Sequence, residues 1–214
     1  MKKTVIAFFM LLLFLPVIAT AQNDAEAERV VKSSLRQLKR NAYSGDFSMV
    51  FYSAQTETAD EQRGNCLIDG ERYSYTIGDF EAIFDGKTQW VFMAADNEVS
   101  ITEPTVEELR ATNPMSMIDY YLETRRIKLD PNQLDNATVI NFFAEKEDVK
   151  SLDIFKVTLV VDDATKLPTS IKIYERSGNI ITFLWNRMKK VTPADDAFTF
   201  QTAKYPNVYV NDLR

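Results

Sequence analysis

The sequence predicts a mainly β chain with some helix, an α+β fold of roughly ten or eleven antiparallel strands. Three observations carry this. Apolar residues recur at every second position through most of the chain. Gly-containing turns separate these short runs. Helical periodicity is confined to one long segment near the start and one or two short ones near the middle. That many antiparallel strands should curl into a barrel or half-barrel. With no internal repeat, linker or low-complexity stretch, residues 22–214 are expected to form one domain.

Residues 1–21 are expected to be a cleavable secretory signal. Lys2 and Lys3 precede an apolar run from Val5 to Ile18, and Ala19-Thr20-Ala21 has the small-x-small pattern of a cleavage site. No Cys follows that site, so the mature chain is not expected to be a lipoprotein itself. Removing the signal changes the net charge from −6 (25 basic against 31 acidic residues) to −8 (23 against 31). An acidic chain without a basic run argues against nucleic acid and anionic membrane surfaces as partners.

Ala25 to Asn41 is the long helix. Val30, Val31, Leu35 and Leu38 fall on one face, with Arg29, Lys32, Arg36, Lys39 and Arg40 mostly off it. The period then becomes two: Phe47, Met49 and Phe51 alternate with polar or smaller neighbours. A strand follows from about Gln62 to Ile68. After Asp69-Gly70 comes a clean alternation, Tyr73, Tyr75 and Ile77 against Arg72, Ser74 and Thr76. Phe80, Ala82 and Phe84 line the next strand, and Asp85-Gly86 is expected to be a two-residue hairpin turn.

In the strand Gln89 to Met93, Trp90 and Phe92 share one face and Val91 and Met93 the other. A sheet with one solvated face would alternate apolar and polar. This sheet is therefore covered on both sides, or it wraps a cavity. Several other strands are equally apolar on both faces, which favours an internal apolar cavity. Glu98 to Ile101 is the next strand.

Pro104 interrupts the meander. Thr105 and Glu108 have capping-box spacing. Asn113 as N-cap and Pro114 at the first helical position start a second short helix to about Glu123. Its apolar residues Met115, Met117, Ile118, Tyr121 and Leu122 exceed what one face of a two-turn helix needs. Either it plugs an open end of the sheet, or it lids a cavity with adaptable Met side chains.

Strands resume at Thr138 to Ala144, Phe155 to Val161, Ser170 to Tyr174 and Ile180 to Trp185. Phe198 and Phe200 form a short strand, and Val208 to Val210 the last one. The Asp162-Asp163 pair is read as a solvated hairpin turn, since no third carboxylate has metal-ligand spacing.

Catalytic chemistry finds little support. The chain has no His, which removes the commonest general base and the imidazole metal ligands. The one cysteine of the mature chain, Cys66, sits in a strand-like run and is read as buried and inert. Exported without an internal disulfide, the protein must be held by its core. Carboxylates such as Glu81, Asp85 or Asp96 show no catalytic pairing. No cofactor and no enzymatic activity are expected.

Taken in order, several motifs resemble the periplasmic outer-membrane lipoprotein carrier family, LolA type. They are Asp85-Gly86-Lys87-Thr88-Gln89-Trp90 before Glu98-Val99-Ser100-Ile101, the central helix at Asn113-Pro114-Met115-Ser116-Met117-Ile118, and Phe198-Thr199-Phe200 followed by Pro206 and Val208-Tyr209-Val210. One departure stands out. The family's Arg-Pro ahead of an aromatic-x-aromatic strand is replaced by Asp69-Gly70-Glu71-Arg72 ahead of Tyr73-Ser74-Tyr75. In the family that arginine is tied to closing the lid and handing cargo on.

The resemblance implies an incomplete β-barrel with helices over its mouth, sheltering the acyl chains of lipoproteins across the periplasm. Tyr73, Tyr75, Phe84, Trp90, Phe92, Met115, Met117, Ile118, Tyr121 and Leu122 are the expected lining. A monomer is implied, with acylated lipoproteins or other lipids as ligands, an inner-membrane release complex and an outer-membrane acceptor. The alternative is a lipid- or lipoprotein-binding sensor on the same fold that does not transport. Burial is worth about 0.8 kcal/mol per methylene, or on the order of 10 kcal/mol for one long chain. Three fully buried chains would pass the roughly 20 kcal/mol ceiling of non-covalent binding, so burial must be partial or opening must be costly.

Overall fold

The computed structural model describes residues 24–112, 114–144 and 153–214; of residues 110–117 and 124 no side chain is described. The expected signal at residues 1–21 and the Asn113 cap lie outside the described residues.

Helix α1 (Ala25–Arg40) opens the described chain. Asp24 caps it, its carboxylate accepting from the backbone of Glu26 at 3.0 Å and of Ala27 at 3.3 Å. Acidic residues in the first turn and Lys39 and Arg40 in the last complement the helix dipole. Ala27, Val30, Val31, Leu35 and Leu38 form its buried stripe.

The strands β1 (Ala42–Ser53), β2 (Thr58–Asp69), β3 (Arg72–Ile77), β4 (Phe80–Phe84), β5 (Gln89–Met93) and β6 (Glu98–Thr102) form a continuous meander. Helices α2 (Val106–Thr112) and α3 (Pro114–Thr124) follow. Then come β7 (Arg126–Leu129), β8 (Ala137–Phe143), β9 (Ile154–Asp162), β10 (Pro168–Glu175), β11 (Ile180–Val191) and β12 (Tyr209–Asp212). All twelve belong to one open sheet in the order β12-β6-β5-β4-β3-β2-β1-β11-β10-β9-β8-β7. Every pairing is antiparallel except β12 on β6.

The α+β fold holds, with two exchanges among its strands. The four-residue strand β7 carries a single buried residue, Ile127, too short a signal to read from periodicity. Phe198 and Phe200 are not in a strand. They lie in an irregular segment whose apolar side chains cover the outer face of β4, β5 and β6. The spacing Phe-x-Phe is the same for a strand and for two rings inserted from a loop, so the pattern does not separate them. Asp85-Gly86 is also not a two-residue turn. Phe84 pairs with Gln89, and Asp85 folds the four-residue loop by accepting from the backbone of Lys87 at 2.8 Å and Thr88 at 2.7 Å.

The capping box forms as expected: the Thr105 amide donates to Glu108 at 2.7 Å, and the Glu108 amide to the Thr105 hydroxyl at 3.3 Å. The Asp162 turn is also a hairpin turn, with Asp162 accepting from the backbone amide and hydroxyl of Thr165 at 2.7 Å each.

One face of the sheet packs on the helices and is called here the inner face. Its core joins the α1 stripe and Ile118 and Tyr121 of α3 to Phe47, Cys66, Ile77, Ile127, Ile140, Phe142, Leu159 and Ile171. Gly64 on β2 lies beneath this core. A Cβ there would stand 2.1 Å from the Thr76 carbonyl oxygen and 2.9 Å from the Phe47 ring, so no larger residue fits.

Candidate functional site beneath the helices

Cross-strand register assigns the aromatic side chains to faces, because directly opposed residues in an antiparallel pair point the same way. Tyr73 opposes Phe84, Tyr75 opposes Ala82, and Ile77 opposes Phe80. The rings form a chain along the inner face: Tyr73 to Phe84 at 5.5 Å, Tyr73 to Tyr75 at 5.5 Å and Tyr75 to Phe80 at 5.8 Å between centroids. Phe47 meets Tyr75 edge-on at 6.5 Å. Leu109 of α2 covers the cluster of Tyr73, Ala82 and Phe84.

Tyr73 and Phe84 are each 3% exposed. The buried Gln89 amide donates to the Tyr73 hydroxyl, which anchors the only polar atom of that ring. Burial also pushes the Tyr75 phenol well above its ordinary range.

Ile118 and Tyr121 of α3 are buried in the main core and Leu122 is partly buried against it. The Tyr121 ring lies 6.1 Å from Phe142, with the Arg125 guanidinium 5.4 Å from its centre. Met115 and Met117 belong to the backbone of α3, but their side chains lie outside the described residues. Of the ten expected lining residues, Ile118, Tyr121, Leu122 and Tyr75 lie in or against the main core, and Tyr73 and Phe84 form an adjoining cluster that Tyr75 also touches.

Trp90 and Phe92 do not. They lie on the outer face, with Ile83 and Val99, under the C-terminal segment. Phe92 packs on Phe200 at 5.6 Å and on Tyr205 at 4.3 Å. The reason is parity. Tyr75 and Ala82 fix the inner face, Ala82 opposes Val91, and so the inner residues of β5 are Gln89, Val91 and Met93. Val91 and Met93 are as apolar as Trp90 and Phe92, so the pattern of β5 alone could not say which pair faces inward.

Sequence reasoning missed another set on the inner face. Met49 opposes Phe183, Phe51 opposes Ile181, and Phe47 opposes Trp185. Phe183 and Trp185 stack at 6.2 Å. Except for the buried Phe47, these side chains are only partly covered, and Phe51 is 39% exposed. The i, i+2 spacing of Ile181, Phe183 and Trp185 was the available signal.

The expected hollow beneath Met115 to Leu122 falls partly on side chains that are not described; among the described residues, Ile118 and Tyr121 are buried in the core. The α1 stripe joins Ile118, Tyr121 and the inner-face residues of the sheet in one core. A small open cleft lined by Tyr121, Arg125, Phe142, Phe155, Lys156 and Val157, among others, encloses no room even for a water molecule. A ligand pocket is usually at least about 300 Å³. This cleft by itself does not hold a hydrocarbon chain.

Arg72, the residue nearest the family's arginine, is turned away from the helices. It pairs with Asp69 and lies 4.5 Å over the Phe198 ring on the outer face. The contact between α1 and α3 is made instead by Lys39, whose ammonium donates to Asp119.

Among solved structures, the fold is similar to an uncharacterized conserved protein from Thermus thermophilus, with a TM-score of 0.60 and 9% identity over 87% of this chain and 99% of that one. It is also similar to the MucA/MucB complex structure from Pseudomonas aeruginosa, with a TM-score of 0.52 and 14% identity over 83% of this chain and 62% of that one. Both likenesses are of fold. No curated protein matches the chain. The model of the family described as outer membrane lipoprotein carrier protein LolA matches residues 18–177. That match spans most of the sequence, and the chain belongs to the LolA family of outer membrane lipoprotein carrier proteins.

Proposed function

We propose that this protein is a periplasmic carrier that shelters lipoprotein acyl chains between its helices and the inner face of its sheet. The observation that carries this reading is the partly open apolar band of Met49, Phe51, Ile181, Phe183 and Trp185 beside the helices. Membership of the carrier family supports it.

The burial of Ile118 and Tyr121 fits release as well as uptake. Acyl burial worth on the order of 10 kcal/mol per long chain is offset by displacing α3 and its buried Ile118 and Tyr121. A carrier needs such an offset, because a ligand held by the full burial energy would not be handed on. The proposal includes Met115 and Met117 as part of the moving helix, and an inner-membrane donor and outer-membrane acceptor as its partners.

A second reading is a lipid- or lipoprotein-binding sensor that does not transport. The placement of Arg72 favours it, since this side chain contacts Phe198 and Asp69 rather than the helices. The two readings separate in one assay. A carrier extracts a triacylated lipoprotein from membranes and passes it to an outer-membrane acceptor. A sensor binds a fluorescent fatty acyl probe but passes nothing on. Failure to bind either ligand overturns both.

A further inference from the structure

The outer face of β7 to β10 gathers cations that are scattered in the sequence. Arg126 opposes Phe143, Phe143 opposes Lys156, and Lys156 opposes Tyr174. One step along the strands, Lys128 opposes Asn141, Asn141 opposes Thr158, and Thr158 opposes Lys172. Strands about 4.8 Å apart place these four cations and two rings, around the buried Asn141, on one face about 15 Å across.

The cations lie over the rings: Arg126 5.3 Å and Lys156 6.0 Å from the centre of Phe143, Lys156 5.0 Å and Lys172 5.3 Å from that of Tyr174. Asp130 faces this group and accepts from Asn141 at 2.6 Å. Glu175, next along β10, accepts from Ser177 and Asn179 in its own turn. The helices pack on the opposite face, so neither α1 nor α3 covers the rings.

We propose that this face docks the protein reversibly on anionic phospholipid headgroups. Charge complementarity argues for a bilayer surface. The rings and long basic side chains have the mixed apolar and cationic character that settles at headgroup depth. At about 0.1 M salt the screening length is about 10 Å, so the acidic residues elsewhere on the chain do not cancel the local field. The linear sequence, with no basic run, argues against such a surface; the sheet builds one from four separate strands. Acyl binding uses the other face and is independent of this docking.

The test is flotation of the purified chain with vesicles of phosphatidylglycerol and phosphatidylcholine, against phosphatidylcholine alone. A cation near an anionic surface contributes roughly fivefold in partitioning. Wild type should float only with the anionic vesicles and should be released by high salt. Lys128→Gln/Lys172→Gln should lower partitioning by about 25-fold, while its melting temperature and its uptake of a fluorescent acyl probe stay at wild-type values. Trp185→Ala, on the inner face, should float as wild type does. Three outcomes overturn the proposal: no flotation of wild type, undiminished flotation of the double variant, or binding of an acidic peptide at these lysines without vesicle binding.

Discussion

The Lys39 ammonium, in the last turn of α1, donates to the Asp119 carboxylate on α3, and this ion pair links the two helices over the inner face. Both side chains are more than a third exposed. Such a pair contributes at most about 1 kcal/mol, enough to change a local opening rate without changing the fold. Asp119→Asn should accelerate uptake of a fluorescent acyl probe by about two- to fivefold in stopped-flow mixing, with a melting temperature within about 2 °C of wild type. Tethering Cys residues at these two positions with a short bis-maleimide should block uptake. Arg72→Ala should leave the uptake rate unchanged, because that side chain serves the outer face. Equal rates in the free and tethered proteins would exclude movement of α3.

The two faces of the sheet should respond differently to truncation. Phe92 is 6% exposed and packed by Phe200 and Tyr205, so Phe92→Ala should cost about 3–5 kcal/mol of stability. Probe affinity per folded molecule should not change. Phe183→Ala and Trp185→Ala remove partly exposed rings and should cost less stability. Each should weaken acyl-probe binding by about tenfold. Urea titration and fluorescence binding on the same samples separate the effects. Weaker binding in Phe92→Ala alone would return the site to the outer face.

The sequence shows this difference only in part. The alternation of Tyr73, Tyr75 and Ile77 reports β3 correctly because its other face is polar. In β5 both sets are apolar; one lies toward the helix side, and the other meets Phe198 and Phe200 from far along the chain. Local periodicity cannot assign such a strand. Register can, through the chain of pairings from Tyr75 to Ala82 to Val91. The long helix was legible because its stripe is strong and its polar face unambiguous. The burial of Ile118 and Tyr121 in the core was not, because the number of apolar residues does not reveal whether the protein's own side chains or a ligand cover them.

Gly64 tests how tightly the inner face is built. Its backbone passes so close to β3 that a methyl group would overlap the Thr76 carbonyl. The overlap is with backbone, so a side-chain rotation cannot relieve it. Gly64→Ala should force β2 from β3 beneath Phe47 and cost about 3 kcal/mol, at the upper end for an overpacked site. The measurement is the urea midpoint, together with amide exchange in β2 and β3. An unchanged midpoint would mean that the two strands separate at little cost.

Alkaline stability should fall in two overlapping steps. Burial pushes the Cys66 thiol from 9.0 to about 11. Burial, and then the hydrogen bond to Glu81, pushes the Tyr205 phenol from 10.0 to about 12. In both cases the folded chain holds its proton more tightly than the unfolded chain. Their contribution is therefore complete below the unfolded values and is lost as pH rises through the folded ones. The Cys66 contribution should disappear between about pH 9 and 11, and that of Tyr205 between about pH 10 and 12. Urea midpoints measured from about pH 8 to 11.5 should fall less steeply above about pH 10 in Tyr205→Phe, and less steeply from about pH 9 in Cys66→Ala. A Tyr205→Phe curve parallel to wild type would show that the phenol is not held protonated against Glu81, and that the C-terminal segment is attached by its rings alone.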